Sequence, residues 1–84
     1  MQVTFKKGDL RISLECELMW KSENIILTSF NVKTFDNAII DIYEDEINNS
    51  NEVCVGDEIS SVEYKIKTVK VDKHENYSII RINC

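Results

Sequence analysis

Cysteine, histidine and serine are the side chains in this sequence that could act as nucleophiles, general bases or metal ligands. His74 is the only histidine, and it lies in a polar segment beside Glu75, where an imidazole is ordinarily exposed and idle. Cys16 alternates with leucines and Cys54 is flanked by valines, as small core residues are, while Cys84 is the last residue. The cysteines lack metal-ligand spacing and the serines lack a nucleophile signature. We therefore expect neither a metal, a cofactor nor an enzymatic activity.

Carboxylates form the one chemical pattern that rises above the background composition. Residues 34–64 contain nine acidic residues and no lysine or arginine, whereas the rest of the chain is net positive and the whole carries −5. Such asymmetry is typical of a surface for a charged partner, and also of a solvated face that keeps a small domain soluble. The residues that we expect to bind a partner are Asp41, Glu44, Asp45, Glu46, Glu52, Asp57 and Glu58.

Three kinds of ligand fit an acidic segment. Its carboxylates can imitate phosphates in the basic groove of a nucleic-acid-binding protein, bind a hard cation such as calcium, or dock on a basic patch of another subunit. Residues 41–52 lack the spacing and the glycine turn of a calcium loop. Direct binding of nucleic acid is disfavoured by the net charge, although a local basic ridge is formed by Lys65, Lys67, Lys70 and Lys73.

Length and composition bound the class of protein. The 84 residues allow one domain, residues 1–84, and their 43% hydrophobic and 30% charged content is typical of soluble domains. No segment is apolar enough to span a bilayer, and the first residues lack the apolar part of a secretory signal. We therefore expect a cytoplasmic protein with reduced cysteines and no contact with membranes. Abundant isoleucine, asparagine and lysine, whose codons are AT-rich, are typical of an AT-rich bacterium or its phages.

The elements that must position these side chains are organised around residues 10–20. Every second residue is apolar, which gives a strand one apolar face but would scatter the same side chains around a helix. These residues are Leu10, Ile12, Leu14, Cys16, Leu18 and Trp20. A straight strand of this length would span about 36 Å, more than a domain of this size can accommodate. We therefore predict that the strand bends, and that Trp20 lies at the rim of the sheet as a lid or as a binding anchor.

Turn residues divide the rest of the chain into further strands. Gly8 and Asp9 predict a two-residue hairpin before the long strand. Residues 25–35 are rich in β-branched and aromatic side chains and read as a strand. Its inward face is predicted to hold Ile26, Thr28, Phe30 and Val32, although Ile25, Leu27 and Phe35 make the other face apolar too.

The second half of the chain predicts three more strands. They cover residues 53–55, 59–71 and 77–83, and the last points Ile80 and Ile82 inward. Within residues 59–71 the apolar phase shifts by one position, which predicts a β-bulge near Lys67 and Thr68.

Residues 38–47 fit a helix and a strand about equally well. As a strand, Ile40 and Ile42 point one way. As a helix, Asp36 or Asn37 is the N-cap, and the apolar face holds Ile39, Ile42 or Tyr43, and Ile47. The sequence thus predicts an all-β domain, or a mainly β domain with one short helix, in which about six strands form a small antiparallel meander shaped as a curved sheet, barrel or sandwich.

These inferences favour a binding function over chemistry. The first hypothesis is a small acidic protein-binding domain, an inhibitor or adaptor of phage origin, whose residues 36–63 engage a basic surface such as that of a nucleic-acid-binding protein. The alternative is a structural subunit of a larger assembly, such as a phage tail or baseplate, that docks through its sheet edges. Homo-oligomers are compatible with both hypotheses.

Overall fold

The fold is mainly β with one helix, as the sequence predicts. The computed structural model describes residues 1–28, 34–57, 59–75 and 77–84. Its elements, in chain order, are β1 (Gln2–Lys7), β2 (Leu10–Glu15), β3 (Glu17–Lys21), β4 (Asn24–Thr28), α1 (Thr34–Asn48), β5 (Glu52–Val55), β6 (Val62–Lys65), β7 (Thr68–Lys73) and β8 (Ser78–Asn83). In the described part of the chain, no helix is long and apolar enough to cross a membrane.

The strands form two four-stranded antiparallel sheets. Sheet A has the order β2-β1-β5-β6 and sheet B the order β3-β4-β8-β7. Each sheet therefore consists of two hairpins joined by one pairing between strands distant in sequence, β1 with β5 and β4 with β8. These two distant pairings bring the N- and C-terminal halves of the chain into one body.

The long strand of residues 10–20 bends, as predicted, and the structure places the bend at Cys16. β2 lies in sheet A and β3 in sheet B, and Cys16 between them exchanges backbone hydrogen bonds with Met1 at 3.0 and 2.9 Å. A second bend joins β6 to β7. There the Ile66 amide donates to the Asn51 carbonyl at 2.9 Å and the Lys67 amide to the Asn83 carbonyl at 2.8 Å. The six predicted strands become eight because two of them bend and serve both sheets.

The core lies between the sheets and is closed by α1. Its largest fully buried side chains are Phe5, Ile25, Leu27, Ile40, Ile47, Ile82, Val3 and Val53. Burial of Ile12, Leu14 and Cys16 confirms the middle of the inward face predicted for the long strand, whereas Leu10 and Trp20 at its ends are exposed. Burial of Ile80 and Ile82 confirms the inward face of β8. α1 packs against β7, β2 and β1 through Ile40 and Ile47.

The inward face predicted for residues 25–35 is wrong. Ile25 and Leu27 are 0% and 1% exposed, whereas Ile26 and Thr28 are only half-buried on the outer face. Ile25, Ile26 and Leu27 are consecutive apolar residues, so β4 shows no alternation that could identify its inner face. Phe30 and Val32 lie outside the described residues.

Two boundaries also differ from the prediction. β4 ends at Thr28 and α1 begins at Thr34, so residue 35 belongs to a helix and neither Asp36 nor Asn37 is its N-cap. The Asn37 side chain instead accepts a hydrogen bond from the Ser78 hydroxyl at 3.1 Å, which ties α1 to β8.

Two hairpin turns require backbone conformations that L-residues avoid. Gly8 has φ +60° in the turn between β1 and β2, which confirms the predicted hairpin at Gly8 and Asp9. Ser22 has φ +57° in the equivalent position between β3 and β4, where it occupies a site that favours glycine.

Candidate partner-binding surface

α1 places four of the predicted partner-binding carboxylates on one helix. Ile40 and Ile47 point into the core, and the 3.6-residue repeat turns the opposite side of the helix to solvent. Around the helix, Asp41, Asp45 and Glu46 lie on that side or its flanks, whereas Glu44 borders the buried side. These residues and the exposed Ile42 between them are called the acidic helix surface below.

Lys73 neutralises one flank of the acidic helix surface. Its ammonium lies 2.9 Å from Glu44 Oε2 and 3.4 Å from Asp41 Oδ1. Hydrogen bonds to Glu44 and then to Asp41 raise the pKa of Lys73 above its ordinary value. One lysine of the predicted basic ridge is therefore an intramolecular partner of the acidic segment.

Asp45 and Glu46 have no such neutralising partner in the part of the chain that the structure describes. Neither makes an ion pair with a basic residue in the described ranges, and the last turn of α1 contains no base. The backbone carbonyls of these two residues are capped by neutral groups, the Asn49 side-chain amide at 2.7 Å and the Ser50 hydroxyl at 2.8 Å. The C-terminal end of a helix carries partial negative charge, so carboxylates there are electrostatically unfavourable to the free protein.

Ile42 lies between these two carboxylates and is 69% exposed. Asp45 and Glu46 follow it at the i+3 and i+4 positions, which are its nearest neighbours on a helix surface. The expectation that Ile42 lies on the apolar face is wrong: the buried residues are Ile40 and Ile47, seven residues apart, and Tyr43 interrupts the helix with φ −112° and ψ 21°. Only the spacing of Ile40 and Ile47 could have identified this side chain as exposed.

Glu52 belongs to a different surface, the outer face of sheet A. The pairing of β1, β5 and β6 places it beside Lys6 and near Glu63, and Lys6 Nζ lies 3.1 Å from Glu63 Oε1. The hydrogen bond between the two carboxyl groups raises the pKa of Glu52 and lowers that of Glu63, which Lys6 also lowers. The structure therefore does not bring Glu52 into the acidic helix surface.

Asp57 organises a turn. Its Oδ1 accepts hydrogen bonds from the amides of Ile59 at 3.0 Å and Ser60 at 2.9 Å, and from the Ser60 hydroxyl at 3.0 Å. These donors lower the pKa of Asp57, with Ser60 contributing most. Glu58, the remaining predicted residue, lies outside the described residues.

The thiols and the imidazole are dispersed. Cys16 is buried, Cys54 lies on the outer face of sheet A beside a polar depression of about 260 Å³, and partial burial raises the pKa of the Cys84 thiol. The His74 ring stacks on Tyr77 at a centroid distance of 4.5 Å. Within the residues that the structure describes, no three histidine, cysteine or acidic side chains converge on a common point suited to a metal ion.

Comparisons with known proteins provide no further guide to this surface. No protein-family model, curated protein or solved structure matches the chain.

Proposed function

We propose that this domain binds another protein and that the acidic helix surface docks on a basic patch of that partner. The observation that carries the proposal is the position of Asp45 and Glu46 in the last helical turn, where negative charge is unfavourable. Among the described carboxylates, Lys73 pairs with Asp41 and Glu44 and not with these two. A basic partner relieves this repulsion when it binds.

The exposed Ile42 supports a protein partner over a simple cation. Interfaces commonly place an apolar anchor at their centre and charged groups at their rim. Ile42 with Asp45 and Glu46 on either side has this arrangement on a small scale. A partner with a basic groove, such as a protein that binds nucleic acid, would match the carboxylates, and an apolar side chain in that groove would match Ile42.

A pull-down experiment with two charge variants tests this proposal by comparing the proteins that each variant binds from a cell extract. In Asp45→Lys with Glu46→Lys, two carboxylates of the acidic helix surface are reversed while the Lys73 ion pairs are kept. The matched control, Asp9→Lys with Glu75→Lys, makes the same change in net charge at two exposed residues outside α1. Each protein is immobilised and exposed to an extract of the source cells, and the bound proteins are identified by mass spectrometry.

We expect that at least one protein binds to the wild type and to the control variant but does not bind to the helix variant. A protein retained equally by all three forms would assign the interaction to another surface. Loss from both variants would show that overall charge, rather than the acidic helix surface, governs retention.

A further inference from the structure

β3 is an edge strand with one side open. It pairs with β4 from Glu17 opposite Thr28 to Lys21 opposite Asn24, and its other side has no strand partner among the described residues. On that side β1 covers β2 only: Met1, the residue before β1, pairs with Cys16, the residue before β3. Open edges of this kind readily accept a further strand.

The hairpin register fixes which backbone groups face the open side. Lys21 and Asn24 flank a two-residue turn, so they form a hydrogen-bonded pair, and bonded and non-bonded pairs then alternate along the hairpin. Glu17, Met19 and Lys21 therefore direct their amides and carbonyls to β4. Leu18 and Trp20 direct theirs to the open side.

The side chains at this edge are unusually exposed for their size. Met19 is 58% and Trp20 49% exposed, and Leu18 is only half-buried. The Trp20 ring contacts Tyr64 edge-to-face at a centroid distance of 5.1 Å, which covers only part of the indole. The combination of an open backbone edge and large exposed side chains predicts a strand partner rather than water.

The sequence of β3 is complementary to itself when reversed. If two β3 strands pair antiparallel with Met19 opposite Met19, each Glu17 faces a Lys21 of the other copy and each Leu18 faces a Trp20. In this register Leu18 and Trp20 form the hydrogen-bonded pairs, as their backbone direction requires. Registers centred on Leu18 or Trp20 lose both ion pairs, because Met19 then faces Glu17 or Lys21.

We propose that β3 is the interface of a two-fold symmetric dimer of this chain, which joins two copies of sheet B into one eight-stranded sheet. The occupant is a second copy because the charges of β3 match its own reversed sequence, an isologous contact that closes on itself. α1 packs against β7 at the other edge of sheet B, so this inference does not depend on the proposed binding function.

Charge swapping tests the register. Glu17→Lys and Lys21→Glu each place like charges opposite one another, whereas the double variant restores opposite charges in reversed order. In sedimentation velocity the wild type should have twice the 9.8 kDa mass of the chain. Each single variant should dimerise about tenfold more weakly, and the double variant should dimerise as tightly as the wild type. Circular dichroism melting verifies that each variant is folded.

Cross-linking tests the position of the two-fold axis. Cysteines in a non-bonded antiparallel pair lie at a Cα separation of about 4.5 Å, which a disulfide can bridge. Met19→Cys should therefore give a covalent dimer on mild oxidation. The control is Lys70→Cys on β7, which is aligned with Met19 across sheet B through Ile26 and Arg81. It should give no covalent dimer, and any dimer that it does give would report cross-linking through the native cysteines. The proposal would be overturned if the wild-type protein sedimented as a 9.8 kDa monomer at millimolar concentration, or if both cysteine variants cross-linked equally.

Discussion

Lys73 bridges the helix and the sheet: its ammonium lies 2.9 Å from a carboxylate oxygen of Glu44, so the last residue of β7 binds a half-buried side chain of α1. The pKa of Lys73 is raised in the folded protein, so its ion pairs stabilise the fold. This contribution to the free energy of unfolding is fully present below the ordinary lysine pKa and is lost as the pH rises through the folded-state pKa. Lys73→Gln should lower the urea midpoint at low ionic strength and much less in about 1 M salt, where the Debye length is about 3 Å.

The control for this prediction is Lys70→Gln. The Lys70 ammonium lies 3.8 Å from Asp72 and is more exposed than that of Lys73, so its loss should change the midpoint less. Equal losses in both variants, or a loss independent of salt, would contradict a specific bridge between Lys73 and the helix.

The inner face of β4 can be tested by truncating adjacent residues. Leu27 is 1% exposed, so Leu27→Ala should lower the free energy of unfolding by about 2–5 kcal/mol. Ile26 is only half-buried on the outer face, and Ile26→Ala should cost less than about half as much. Urea denaturation of the two variants measures the difference, and a larger loss for Ile26→Ala would restore the face that the sequence predicted.

The two glycines differ in the room around them. Gly56 has φ +119°, and a Cβ there would lie 2.9 Å from the Ser60 carbonyl oxygen and 3.1 Å from Ser61 Cα, both backbone atoms. Gly8 has φ +60° and open space. Gly8→Ala should therefore cost only the left-handed backbone strain, about 1–2 kcal/mol, and Gly56→Ala more. Thermal melting that ranked the two in the opposite order would refute this account of the turn at residue 56.

The turn held by Asp57 should depend on pH. Its pKa is lowered in the folded protein, so its contribution to stability is present above the ordinary aspartate value of about 3.9 and disappears as the pH falls through the lowered folded-state value. Asp57→Asn should be less stable than the wild type at neutral pH, and the difference should shrink in strong acid. Urea midpoints of both proteins across this range measure it, and a gap independent of pH would exclude the carboxylate as its cause.

Periodicity revealed the architecture where one face of a strand is apolar and the other polar. The stretch from Leu10 to Trp20 predicted both its inward face and its bend for this reason. Periodicity failed at β4, because Ile25 and Ile26 are adjacent and equally apolar and so do not distinguish the two faces. The pairings of β1 with β5 and β4 with β8 left no local signal, since they join segments that are far apart in the sequence.

The sequence showed the acidic segment as a run of like charge. It did not show which of its carboxylates are used in contacts within the protein and which are left for a partner. Composition could not show that Lys73 reaches back to Glu44, that Asp57 is committed to a turn, or that Glu52 faces the outside of sheet A. Each of these contacts depends on tertiary pairing. What remains on the acidic helix surface without a described ion pair is Asp45 and Glu46, with the exposed Ile42 between them.

Replacing these two carboxylates should separate stability from function. Lysines in the last turn of α1 complement the helix dipole, so Asp45→Lys with Glu46→Lys should leave the free energy of unfolding unchanged or raise it by up to about 2 kcal/mol. The role of the acidic helix surface in binding is tested by the association rate of this variant with the captured partner, measured beside the Asp9→Lys with Glu75→Lys control at low and high salt. The helix variant should associate about tenfold more slowly than the control at low salt, and the two rates should converge at high salt, where the charges are screened. A well-folded helix variant that associates as fast as the control at both salt concentrations would contradict this role.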